Sequence, residues 1–264
     1  MRRTIAKYSD VYRHFLATCF AEATSYRLHF FLLIFMDIVF YCTTLGSVDF
    51  IFNHVDMIGP WGRNEFLFFV TFMLAIDQLH MTLVSEGFWQ FSFEIRTGAL
   101  DFILLKPIGT MFPIFFRHIR PASMLLAPVA WGLLIYFGRK IELSLFAWVA
   151  LPFFLLSSFA LIVAIEVLVA MSMFWIIESF GINFLRMQLQ NIARWPDFIF
   201  RYGARKFFTI FLPVLLAGNI PVKIMFGDIH PLNFGFVVLA LIVIGLVTKF
   251  FWHRGLRSYE SASS

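Results

Sequence analysis

The hydrocarbon core of a bilayer takes about 20 residues of α-helix to cross, and Leu232–Trp252 is an almost unbroken apolar run of that length. Comparable runs recur along the chain, and no soluble helical core requires such repetition. A β-barrel is equally unsuited, because its strands would alternate in segments of about ten residues. Composition points the same way: of 264 residues, 60% are hydrophobic and 19% aromatic, with a mean hydropathy of +0.82. Only 14% are charged, against about 25% in soluble domains. The fold class is an all-α membrane protein. The 37 phenylalanines serve as lipid-facing and packing bulk, or line a path for flat, greasy molecules.

Six membrane spans are expected within a single domain over residues 1–264, at 28–52, 65–87, 111–137, 143–174, 198–218 and 232–252. Between the first two, Asn53–Asn64 carries Gly59-Pro60 and Gly62, a turn-rich break. Glu178–Lys206 is polar and amphipathic, with Arg186, Arg194, Arg201, Arg205 and Lys206. The fifth span is the weakest. Its apolar stretch Phe207–Ala217 is short, borrows Phe198–Phe200, and relies on flanking cations reaching for the interface. Gly218–Asn233 is then broken by Pro221, Gly227 and Pro231.

Ahead of the first span, residues 1–24 are too mixed for a cleavable signal. Ile5, Tyr8, Tyr12, Phe15 and Cys19 step by three and four, the period of one helix face. With Arg2, Arg3, Lys7 and Arg13 around them, they suit a helix lying in the membrane interface or an ordinary solvated one. Cys19 and Cys42 have no spacing that suggests a disulfide framework or a metal site.

Charge orients the chain. With a cytoplasmic N-terminus, 17 of the 21 Lys and Arg lie inside, and only Arg63, Arg139, Lys140 and Lys223 lie outside. That asymmetry follows the positive-inside rule and puts both termini in the cytoplasm. The net charge of +5 then reports topology and does not imply nucleic-acid binding. No phosphate-binding loop, HExxH or nucleophile elbow is present in the sequence, so a driving force has to be supplied by another chain.

One charged stretch stands out. Residues 94–107, E-I-R-T-G-A-L-D-F-I-L-L-K-P, join the second and third spans on the cytoplasmic side. Ile95, Ala99, Phe102 and Ile103 fall on one helical face, with Glu94, Arg96, Asp101 and Lys106 elsewhere, and Pro107 stops the helix. The segment is either a solvated connection or a short helix that stays docked by its apolar edge and offers a polar edge to a soluble partner.

This stretch, G-A-L-D-F-I-L-L-K-P, resembles the G-x-L-D-x-x-L-L-(R/K)-P segment of the type-2 ABC exporter permeases, six-helix chains without a fused ATPase. The closing G-L-R-S-Y-E-S-A-S-S resembles that group's G-L-R-x-Y-x-S-A, with serine in place of the family's final glycine. Pro196, Pro213, Pro221 and Gly227 form a looser third match around the fifth span.

The resemblance implies an ABC transporter permease of the bacterial cytoplasmic (inner) membrane. It would pair with a second permease, homologous or identical, and with two copies of a soluble ATPase that binds ATP and Mg. No cofactor would be bound by this chain. Glu94, Arg96, Gly98, Leu100, Asp101, Lys106 and Pro107 would form the coupling helix that transmits ATP-driven motion. Residues 1–24 would be the interfacial elbow, and Gly218–Asn233 an outer re-entrant hairpin.

Ionisable groups within spans cost about 2.5–3.5 kcal/mol each on insertion scales and mark candidate sites. Four stand out: Asp37, Asp77, His80 and Glu166. Asp77 and His80 share a helix face three residues apart and could neutralise one another. Glu86 falls near the inner end of the second span. The four residues either line an acidic, aromatic path for a cationic or amphipathic substrate, join helices together, or handle protons or a metal. Export of an organic cation or lipid-like molecule is the expectation. A scaffold subunit that only anchors an ATPase is the alternative, as is an ion-coupled transporter, against which the lack of an inverted repeat weighs.

Overall fold

The computed structural model of the protein describes residues 2–176 and 179–259. Glu178 and the last five residues of the closing motif, including its terminal serine, lie outside the described residues. The chain forms two compact units, one from residues 2–40 and 78–127 and the other from 41–77 and 128–259.

The first unit is built on α1 (Arg2–Ser25), the beginning of α2 (Arg27–Phe52) and the end of α3 (Arg63–Leu83). Four short helices complete it: α4 (Ser85–Thr97), α5 (Leu100–Leu104), α6 (Met111–Phe116) and α7 (Pro121–Met124). The apolar line expected along α1 has a partner in Phe112 of α6. Tyr8, Tyr12 and Phe15 surround that ring with centroids 5.0, 6.2 and 6.1 Å away.

The third expected span, 111–137, is divided into α6, α7 and α8 (Ala127–Lys140). Pro121 is the cause. A residue before proline is pushed out of the helical region, and Arg120 is extended, with φ −103° and ψ 94°. Its freed backbone N–H donates to the Thr82 carbonyl at 3.0 Å.

The second unit opens with a small hairpin, β1 (Met57–Ile58) and β2 (Trp61–Gly62), which turns through Gly59 at φ +60° and feeds the start of α3. The remaining elements are α8, α9 (Leu145–Ala170), a 3₁₀ turn at Met171–Phe174, α10 (Ser179–Ala193), α11 (Tyr202–Lys206), a π turn at Phe207–Phe211, α12 (Val214–Met225) and α13 (Pro231–Ser258). Ser144 caps α9 by accepting from the Ala147 N–H at 3.2 Å.

Helices α9, α10, α12 and α13 pack around a common core. Hydroxyls join them where polar groups must be buried: Ser158 donates to the Ala217 carbonyl at 2.5 Å, and Thr248 to the Ala164 carbonyl at 3.2 Å. Trp61 anchors the opposite end of α3 from Leu83, with its ring 4.9 Å from Phe198, 5.3 Å from Phe69 and 5.6 Å from Phe226.

Five helical segments among the described residues are long and apolar enough to cross a membrane: Arg27–Phe52, Arg63–Leu83, Pro121–Lys140, Leu145–Phe174 and Pro231–Ser258. The expected fifth span, 198–218, is not one straight helix. Its segments Tyr202–Phe211 and Val214–Met225 meet at 94°. Pro213 explains the corner, because it lacks an N–H and drives Leu212 out of the helix, to φ −119° and ψ 83°. Helix α12 then runs unbroken through Gly218 to Met225, so the hairpin expected to begin at Gly218 is helical there. The turn comes later, at Gly227 with φ +102°.

Gly218 lets α12 lie close to α3: a Cβ there would fall 2.6 Å from Met73 Sδ and 2.9 Å from the Phe69 ring. Gly218→Val should therefore cost about 1–3 kcal/mol by overpacking, measured as a lower melting temperature in detergent. Gly245→Ala, with no neighbour within 4 Å, should leave the melt unchanged or raise it slightly.

Candidate coupling corner and buried ion pairs

The 94–107 stretch is two helices with a corner between them. Helix α4 ends at Gly98, whose φ of +72° is left-handed. An L side chain there would cost roughly 1–2 kcal/mol. The chain then re-enters a helix at once, with the Asp101 N–H donating to the Gly98 carbonyl at 3.1 Å.

The corner changes which residues dock. Leu100 and Ile103 are buried, while Phe102 is 73% and Leu105 81% exposed. Phe102 was expected on the docked edge with Ile103. Helix neighbours lie about 100° apart, and with Leu100 and Ile103 turned inward Phe102 and Leu105 are left outside. Phe93, Arg96, Lys106 and Pro107 are exposed as well.

The back of the corner is tied down. Glu94, only 3% exposed, accepts a hydrogen bond from the Arg117 guanidinium, and His118 Nε2 lies 3.9 Å from the same carboxylate oxygen. A Cβ on Gly87 would sit 2.6 Å from the Phe115 carbonyl oxygen, so α4 and α6 touch backbone to backbone. Helix α1 holds the far end: Lys7 Nζ donates to the Pro107 carbonyl at 2.6 Å, and the Gly109 N–H donates to Tyr8 Oη at 2.8 Å. Glu86 lies in the first turn of α4 and accepts from the Gln90 amide at 3.2 Å.

Each of the three span carboxylates meets an arginine. Asp37 accepts from Arg120 Nη2 at 3.1 Å and from the Ser123 hydroxyl at 2.7 Å. Gln78 braces this group by donating to the Ser123 carbonyl at 3.3 Å and to Thr82 Oγ1 at 3.0 Å. Asp77 accepts from Arg194 Nε at 2.6 Å, and Arg194 also donates to Asn191 at 2.7 Å. Glu166 accepts from Arg186 Nη1 at 3.4 Å, with Arg186 just 1% exposed. His80 is buried and stacks on Phe88, with centroids 6.0 Å apart and planes 13° apart.

Sequence spacing pointed to His80 as the neighbour of Asp77, and missed the arginines. Arg120 is 83 positions from Asp37, and Arg194 is 117 positions from Asp77. The available signal was arithmetical: a segment rich in arginine and several isolated span carboxylates need one another. Among the described residues no group of three or more His, Cys, Asp or Glu could hold a metal ion.

Residues 38–263 match the family described as "ABC-2 family transporter protein". The chain belongs to this family. No curated protein and no solved structure matches it. As an ABC-2 transporter chain it is a multi-pass transmembrane permease component, without an ATPase site of its own. The corner and the ion pairs all fall within, or pack against, the part of the chain that the family covers.

Removing one partner of a buried ion pair strands the other charge, at about 3–5 kcal/mol. Asp77→Leu and Arg194→Leu should each destabilise the ABC-2 chain by that order, and the double variant should recover most of the loss. Thermal unfolding of the three variants in detergent checks this. Absence of recovery would show that the two residues act separately.

Proposed function

We propose that this chain is the membrane subunit of an ATP-driven exporter that moves an amphipathic or cationic organic molecule out of the cytoplasm. A separate ATPase, with ATP and Mg bound to it and none to this chain, supplies the force through residues 94–107. Two copies of that ATPase and a second permease, homologous or identical, would complete the transporter in a bacterial inner membrane, with both termini cytoplasmic.

The observation that carries this reading is the corner at Gly98. Exposed apolar side chains are ordinary when scattered, but Phe102 and Leu105 stand three positions apart at the end of α5, with Lys106 next in sequence, on a corner held from behind. A surface of this kind suits a groove with an apolar floor and acidic rims. Glu94, Gly98, Leu100, Asp101 and Pro107 shape and hold it. Phe102, Leu105, Arg96 and Lys106 touch the partner.

The same reading reassigns the fifth crossing. Arg194 meets α3 at Asp77, and four residues later Phe198 meets the hairpin that precedes α3, at Trp61 and Gly59. The chain after α10 therefore climbs beside α3 toward its N-terminal end. We place the fifth span at residues 179–199, and α11, the π turn and α12 as the outer re-entrant pair. Arg186 and Arg194 are then inside the membrane, matched by Glu166 and Asp77. Those carboxylates serve as interhelical pairs, as Asp37 does with Arg120, rather than as a substrate path. Arg201, Arg205 and Lys206 move outside with Lys223, and the N-terminal, 96–117 and C-terminal cations keep the positive-inside bias.

Phe102→Asp with Leu105→Asp should leave the melt of the purified chain unchanged, since both side chains are exposed. In mild-detergent purification of the tagged chain it should reduce the co-purifying ATPase at least about tenfold, the effect of losing roughly 1.4 kcal/mol. Undiminished ATPase recovery would remove the corner from the contact. Gly98→Pro should leave the protein in the membrane and abolish stimulation of ATP hydrolysis.

A further inference from the structure

The second unit contains a cavity of about 550 Å³ between the π turn, α12 and α13, within the size range of small-molecule sites. It goes beyond the coupling function, since none of the residues placed in the corner line it. One end is polar. Asp197, which is buried, accepts from Arg205 Nη2 at 2.5 Å and from Lys223 Nζ at 2.9 and 3.1 Å. Its backbone N–H donates to Asn219 Oδ1 at 2.7 Å, and the Asn219 amide donates to the Leu215 carbonyl at 2.8 Å. Asn219 is 2% exposed, so the backbone that carries this carboxylate is held in place.

The other end is greasy. Phe236, Leu239, Ala240 and Val243 step by three and four along one face of α13, about 10 Å of helix. Phe236, Leu239 and Val243 are all more than two-fifths exposed, although they line the cavity.

We infer that this cavity binds a phospholipid, with the phosphodiester at Arg205 and Lys223 and an acyl chain along α13. Two cations share one carboxylate, which leaves the trio one positive charge in excess, the complement of a phosphodiester. A guanidinium has five N–H donors and an ammonium three, more than Asp197 takes up. Arg205 and Lys223 remain 45% and 31% exposed, and an N–H donor paired with phosphate makes a strong, charge-assisted bond. Asp228, exposed at the rim, suits the ammonium of an ethanolamine headgroup. The apolar face lies beside this charge within one cavity, which free phosphate would leave empty.

Native mass spectrometry of the full chain in mild detergent, titrated with dioleoylphosphatidylethanolamine, tests the assignment. One saturable adduct per chain is expected, with none from dioleoylglycerol, which lacks the phosphate. Arg205→Gln with Lys223→Gln should weaken the adduct about tenfold or more. Ala240→Trp should do the same by filling the furrow, without touching a charge. Unchanged affinity in Ala240→Trp would overturn the acyl-chain assignment, and equal binding of dioleoylglycerol would overturn the phosphate assignment. Full displacement by inorganic phosphate would make it a free-anion site, and loss of the adduct only on dimer formation would make the furrow an interface between copies. Either result ends the lipid proposal. None of these outcomes depends on an ATPase, so a failed coupling experiment and a failed lipid experiment remain distinct.

Discussion

Charge in hydrocarbon survives only when it is matched, because stranding an ion costs more than most helix contacts return. The fold depends on that constraint at three points. Asp37 with Arg120, Asp77 with Arg194, and Glu166 with Arg186 each join segments that are separate in sequence. Apolar packing between helices is permissive, since one leucine-lined face fits another at many registers. A carboxylate that must meet one guanidinium is restrictive, and it selects both the neighbouring helix and the depth at which it lies. Helix α10 shows the consequence. Its one arginine, Arg186, is turned inward on Glu166, while its apolar Phe180 and Phe184 face outward.

The same constraint separates what was legible in the sequence from what was not. Hydropathy marks α2, α9 and α13 because nearly all residues in those runs are apolar, and the structure places helices at Arg27–Phe52, Leu145–Ala170 and Pro231–Ser258. Local hydropathy fails where the deciding partner is far away. The stretch 178–206 is polar and amphipathic by its letters, and a window of twenty residues cannot see that Arg194 will meet Asp77. Pro121 and Pro213 were visible as letters, and their effect, an extended residue before each, follows from the ring alone. Their consequence at the scale of a span depended on what would accept the freed backbone groups, such as Thr82 for Arg120.

The corner at Gly98 was half legible. Glycine, proline and the charges around them announced an interruption of the helix, which the structure places at Gly98. The exposed face did not follow, since a helical wheel assumes continuous right-handed winding. One residue at φ +72° redirects the helix that follows, on which Leu100 and Ile103, three apart, enter the core while Phe102 and Leu105 stay outside.

A lever transmits force only if it is stiffer than what it moves. A flexible connection at 94–107 would absorb a push from a soluble partner as loop entropy. Here the push would fall on Phe102 and Leu105, and helix α4 ahead of them has two attachments made by different chemistry. Glu94 is held electrostatically from α6's end by Arg117, and Gly87 sterically by the Phe115 carbonyl. The third attachment, Lys7 and Tyr8 on Pro107 and Gly109, comes from the N-terminal helix. Helix α1 is thereby a brace for the corner, and any force that shifts the corner must also act on α1.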